Sequence, residues 1–221
     1  MPMITTNQYK LNKSLTEGWT TAGLNLAPAN EARLATGRTD LPTLCPKAGA
    51  CASACLKFAG MNNMPTHLST RVARTVQLFD HWSATLDQLT REVSRAAARA
   101  PEGRFAFRPN LLSDLPKLAH ALADALPGVQ FYDYTKLPKP WLRTKPNYHL
   151  TFSYSERSSW AEVEACLAHG INVAVVFDRL KGDDLRKSLA EFDSAITMAL
   201  EASSAAIAVI GKPFIFMAGA D

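Results

Sequence analysis

The chain has no apolar run long enough to span a bilayer, so no membrane-crossing helix and no membrane partner are expected. Its first residues, Met-Pro-Met-Ile-Thr-Thr, lack the charged-then-apolar layout of a secretory signal, which points to the cytoplasm. No internal repeat and no low-complexity linker divides the 221 residues, so one α/β domain over 1–221 is expected, with 1–19 as an irregular lead-in. Net charge is small, +4, with 47% apolar and 20% charged residues, an ordinary balance for a globular domain. That balance permits a nucleic-acid or nucleotide partner without requiring one. Cysteine is scarce, four in all, yet three fall within residues 44–60.

Those three are Cys45, Cys51 and Cys55, with five and then three residues between them. If Cys51 and Cys55 open a helix, their spacing puts both sulfurs on one face. Pro46 and Gly49 let the chain bend back so that Cys45 reaches the same point. In a reducing compartment, clustered cysteines more often bind metal than form disulfides. Thiolates select zinc, copper(I) or iron–sulfur clusters, and a closed structural zinc site takes four protein ligands where this stretch offers three. A cubane held by three cysteines keeps one iron open, which is a catalytic arrangement. Three other readings stay open. His67 or His81 completes a zinc site, Cys51 and Cys55 are small buried residues, or two of the three cysteines form a disulfide.

Apolar periodicity places a short strand at Thr20–Ala27, then helices from Pro65 with a break near His81-Trp82 and a stop at Ala100-Pro101-Glu102-Gly103. Arg71 and Arg74 fall opposite Leu68 and Val72 and are expected on a solvated face. Strands follow at 104–108, 129–134, 148–153 and 171–177, separated by helices from Asp114-Pro116 and from Ser158 or Ser159. Cys166 falls at an apolar helical position and is expected to be buried. A further helix is expected from Asp184 to Leu200, with last strands at 206–210 and 214–217. Alternating strands and helices imply a mostly parallel sheet, as a doubly wound sheet or a full or partial barrel.

In such folds reactive groups gather at the carboxyl ends of the strands. Those ends supply Arg108 and Asn110, then Asp133, Tyr134 and Lys136, then Ser153 to Glu156, then Asp178-Arg179. The cysteine loop follows the first strand and would share that rim. Asp114 and Ser158 are read as helix caps. The loop 136–146 carries four basic residues, no acid and Trp141. Either it tracks a phosphate backbone with Trp141 stacked on a base, or it is a solvated, proline-stiffened loop.

A strand, a three-cysteine loop and then repeated α/β units resemble the radical S-adenosylmethionine (SAM) superfamily. The resemblance implies a partial (β/α)6 barrel in which the three cysteines hold a 4Fe–4S cluster and SAM binds the open iron. One-electron reduction from an electron donor then cleaves SAM to a radical that abstracts a substrate hydrogen. The usual motif there is Cys-x3-Cys-x2-Cys, whereas here it is Cys-x5-Cys-x3-Cys, and no Gly-Gly-Glu-like segment ends the second strand. The resemblance assigns the cluster to Cys45, Cys51 and Cys55, SAM to Arg108, Asn110, Asp133 and Ser153, and catalysis to Tyr134 and Lys136. The chain is also similar to a family of small phage and plasmid proteins known by a gene-product number. The segments that carry this likeness are 44–56, 131–136, 147–153 and 172–177, and it fades beyond Asp178. Phages use radical SAM enzymes to elaborate modified thymine, so a DNA base or nucleotide is the implied substrate. The alternative is a non-catalytic, metal-stabilised nucleic-acid-binding protein.

Overall fold

The computed structural model describes residues 1–6, 11 and 18–174. The end of the strand expected at 171–177, the rim pair Asp178-Arg179, and the helix and strands expected after them lie outside the described residues.

Six strands form one sheet: β1 (Ile4–Thr5), β2 (Thr20–Leu24), β3 (Phe105–Arg108), β4 (Gln130–Thr135), β5 (Tyr148–Ser153) and β6 (Asn172–Ala174). They lie side by side in chain order. β1 is antiparallel to β2, and every later neighbour is parallel. β1 corrects the expectation of an irregular lead-in. Ile4 pairs with Leu24, Met3 is fully buried, and the Glu92 carboxylate accepts from the Met3 and Ile4 amides at 2.8 and 3.0 Å. Two residues are too short for alternation to reveal a strand.

Five helices are described: α1 (Glu31–Thr36), α2 (Pro65–Asp80), α3 (Trp82–Ala98), α4 (Pro116–Ala125) and α5 (Trp160–Ala168). Pro65 and Pro116 begin theirs, where a missing N–H costs nothing and φ is already set. The break falls at His81, whose φ of −135° leaves the helical region. Ser159 and Glu162 close a reciprocal capping box at α5. Asp114 caps nothing: α4 starts without a side-chain cap bond.

All the larger helices cover one face of the sheet. Leu78 of α2, Leu89 and Val93 of α3, and Leu118 and Leu122 of α4 share one core with Leu24, Phe107, Phe131 and Leu150. Phe107 and Phe131, paired in register, meet edge to face at 6.0 Å. Val163 and Cys166 of α5 join Phe152 and Val173 in a second cluster. Side chains alternate along a strand, so Thr21, Ala106, Arg108, Tyr132, Tyr134, His149, Thr151 and Ser153 belong to the opposite face. A doubly wound sheet reverses its strand order and takes helices on both faces. Among the described residues the strand order does not reverse and the larger helices keep to one face, while helical Leu11 meets the other, its carbonyl accepting from the Thr21 hydroxyl at 2.7 Å.

The arginines of α2 are not solvated. Arg71 is 2% exposed and Arg74 8%, while Leu68 lies at the surface. Arg71 grips Glu31 through two bonds, 3.0 and 3.1 Å, and donates to the Asn62 carbonyl at 2.8 Å. The apolar side of α2 instead packs Val72, Val76 and Phe79 against Ala27, Ala32 and Leu41. Helical period alone could not tell a solvated arginine face from one that receives a carboxylate from α1. Arg71→Ala leaves Glu31 buried with, among the described residues, only Lys57, 3.6 Å away, to offset it. Urea denaturation should show a loss of about 3–5 kcal/mol. The double variant Glu31→Gln/Arg71→Met should lose clearly less, because it removes both charges.

Candidate thiol site at the carboxyl rim of the sheet

Between α1 and α2 the chain passes through three single 3-10 turns: Gly49–Ala52, Leu56–Phe58 and Gly60–Asn63. Cys51 lies inside the first turn. Cys55 is extended, at φ −63° and ψ 139°, ahead of the second. The helical pairing expected for these two cysteines therefore does not form. The extended residues Cys55 and Ala59 separate the turns, so the three do not merge into one helix.

Bonds from distant parts of the chain hold this stretch. The Leu44 amide donates to the Ala29 carbonyl (3.1 Å), and the Asp114 amide donates to the Leu44 carbonyl (2.7 Å). The Cys45 thiol donates to the Leu112 carbonyl at 3.3 Å. The Ala50 amide donates to the Glu156 carboxylate at 2.7 Å. The cysteine stretch is thus tied to the loop after β3 and to the loop after β5. It lies at the carboxyl rim, as the strand order predicts.

Cys45 and Cys55 are half-buried and Cys51 is exposed. As they stand they do not gather on one point. Among the described residues no three His, Cys, Asp or Glu side chains are placed to hold a metal ion. The thiols are nevertheless neighbours. Burial, with negative charge on Cys55, Asp114 and Cys51 adding to it, pushes the Cys45 thiol up to about 11. Burial also raises Cys55, with Cys51 and Glu31 adding to the effect. Three soft donors on one loop suit a cationic group able to take three thiolates. In chemistry the donor set fits such a group.

The rim residues fall into two layers. Behind, on the helix side, Asn110 and Asp133 are 2% and 3% exposed. Asp133 accepts from the Asn110 amide (3.0 Å), from the Asn110 Nδ2 (2.7 Å) and from the Tyr148 hydroxyl (3.2 Å). Asn110 Oδ1 in turn accepts from the Ser113 hydroxyl and the Leu115 amide at 2.8 and 3.0 Å. In front, on the opposite face, are Arg108, Tyr134, Lys136 and Ser153. The Arg108 guanidinium lies 4.6 Å over the Tyr134 ring. Its Nε donates to the Asn110 carbonyl at 3.2 Å and stands 3.7 Å from Asp133. Lys136 Nζ donates to the Ser153 hydroxyl at 3.1 Å. Arg108 thus bridges the layers.

Three residues gain roles that the sequence concealed. Asp114 accepts from the Thr135 hydroxyl and the Lys136 amide, each at 3.0 Å, and so ties the loop before α4 to the end of β4. Asn25, the first residue past β2, is 5% exposed, and its Oδ1 has no partner among the described residues. Glu156 holds the cysteine stretch. Only its position directly after a strand signalled it.

The basic loop is bound up internally. Arg143 donates to the Pro138 and Leu137 carbonyls (2.9 and 3.0 Å), and Lys145 pairs with Asp124. Trp141 is stacked on His169 at 4.2 Å and 11°. This arrangement favours the structural reading of the loop over a phosphate track.

A family model described as GP88, Gene product 88, matches residues 3–210, so the likeness continues past Asp178. No curated protein and no solved structure matches the chain. No helix among the described residues is long and apolar enough to cross a membrane.

Burial pushes Asp133 up to about 7, against Arg108 and the Asn110 donors, which favour the charged form. An unfolded aspartate titrates near about 4. Between those values the folded chain binds the extra proton, so stability should fall as pH rises from about 4 to 7. Urea midpoints across that range should show the slope. Asp133→Asn should flatten it, and an unchanged slope would place the proton elsewhere.

Proposed function

The chain belongs to the Gene product 88 family, and we propose that it is a radical SAM-type iron–sulfur enzyme. One observation carries the reading. A three-thiol loop leaves the first parallel strand and is tied to the carboxyl rim of a sheet whose larger helices all lie on one face. Strands in chain order with the larger helices on one side also support a partial (β/α)6 barrel, its polar face turned inward.

Cys45, Cys51 and Cys55 would hold a 4Fe–4S cluster. When bound, its open iron and an external electron donor supply the one-electron chemistry on SAM. The chain's own part is positioning. The two terminal nitrogens of Arg108 make no hydrogen bond among the described residues, and a guanidinium takes a carboxylate in two parallel bonds. Asp133 and Asn110 stand behind Arg108 and fix its aim. Asn25 Oδ1, without a partner among the described residues, is an acceptor suited to an amino group. Ser153 is poised for a ribose hydroxyl. Tyr134 and Lys136 share its face and are the groups placed to move a proton to or from a substrate. The substrate class favoured by resemblance is a DNA base or nucleotide.

Anaerobic reconstitution should give a brown protein with about four irons per chain. Stoichiometric zinc with no iron would overturn the proposal. In the loaded protein, Arg108→Lys should weaken SAM binding by about 1.5–3 kcal/mol, more than tenfold, at unchanged iron content. Calorimetry reads this directly, and unaltered affinity would remove Arg108 from the SAM site.

A further inference from the structure

The contact between Glu156 and the cysteine stretch is fitted on both sides. Glu156 projects from the loop after β5, and its Oε1 takes the Ala50 amide, 106 residues away in the chain. Gly49, just before, has φ +52°, a conformation side chains rarely adopt. A Cβ at Gly49 would sit 2.1 Å from Glu156 Oε1, so the glycine makes the room that the carboxylate fills. The bond runs from the loop after β2 to the loop after β5, past the ends of the two strands between them. The other ties, at Leu44 and Cys45, all precede the first turn. Between Cys45 and Cys51, Glu156 is therefore the one side chain from a distant part of the chain described as gripping the loop backbone; the Ser53 hydroxyl, which donates to the Ala50 carbonyl at 2.8 Å, belongs to the loop itself.

We propose that Glu156 is the positioning residue of the thiol loop: with Gly49 as its socket, it latches the stretch that carries Cys51 and Cys55 to the carboxyl rim. It touches no ligand itself and acts through the Ala50 amide. The carboxylate also lies well placed electrostatically. The Ala50 N–H holds Glu156 below its usual range, so it is ionised and accepting at neutral pH. Arg157, 3.8 Å away, restrains it on its own loop.

The metal-free full chain tests this without any cluster. A thiol reagent followed by peptide mass mapping gives a separate alkylation rate for each cysteine. Glu156→Ala should speed alkylation of half-buried Cys45 and Cys55 by roughly tenfold or more, because local opening of the loop becomes easier. Cys166, buried on α5 against Phe152 and Val173, should not change. Glu156→Gln keeps an oxygen acceptor for the amide and should stay close to the parent rate. Gly49→Ala closes the socket and should reproduce the Glu156→Ala acceleration. Parent-like rates in both Glu156→Ala and Gly49→Ala would overturn the assignment. Acceleration shared by Cys166 would overturn it too, since that reports general loss of fold. The role in metal loading rests on the iron–sulfur reading, and reconstituted Glu156→Ala should then retain less iron than Glu156→Gln. Selective alkylation effects in a protein that never takes up iron would leave the latch intact and remove the iron–sulfur reading instead.

Discussion

Parallel strands laid down in chain order impose a one-sided burial. Each crossover must return to the next strand on the same side, so the helices accumulate on one face. That face holds Phe107, Phe131, Leu150 and Phe152 against the apolar stripes of α2 to α5. The other face is left without any of the larger helices and carries hydroxyls, two tyrosines, a histidine and Arg108. Everything distinctive about the rim follows from this asymmetry. The polar face and the carboxyl ends meet at one edge, and the loops that leave that edge carry the chemistry-bearing residues.

At that edge the chain separates support from display. A carboxylate that is nearly wholly buried, Asp133, is tolerated because Asn110 and Tyr148 satisfy its oxygens and Arg108 stands beside it. The network fixes the loop after β3. Arg108 inherits that rigidity while keeping its outer nitrogens at the surface of the site. Asp114 does the same for the end of β4 through Thr135 and Lys136. A loop held this way can present a guanidinium or an ammonium with little freedom left to lose on binding.

Much of this was legible from the residues alone, and the exceptions have physical causes. The strands with continuous apolar alternation, the proline-started helices and the break at His81 were readable because each depends on local chemistry. The gathering of Arg108, Tyr134, Lys136 and Ser153 was readable from strand ends. Which face each would take was less accessible, because it depends on register. Asp133 and Asn110 look like display residues in sequence, and only the pleat turns them toward the helices. Arg71 and Arg74 misled because a buried ion pair has the pattern of a wet surface. Asp114 looks like a cap, yet its acceptors serve a strand some twenty residues on, at Thr135. The conformation of the cysteine stretch was hidden because the side-chain ties that hold it reach partners 67 and 106 residues away.

β1 has a consequence of another kind. An open sheet leaves a row of unpaired amides and carbonyls at its border, which a neighbouring molecule can extend into a shared sheet. Here the border beside β2 is occupied by a strand of only two residues, Ile4 and Thr5, running the opposite way. It offers a newcomer two rungs at most. Because Glu92 takes the Met3 and Ile4 amides, part of even that short ladder is already committed. The first few residues thus act as a selvedge, finishing the fabric so that concentrated chains do not knit together along this side.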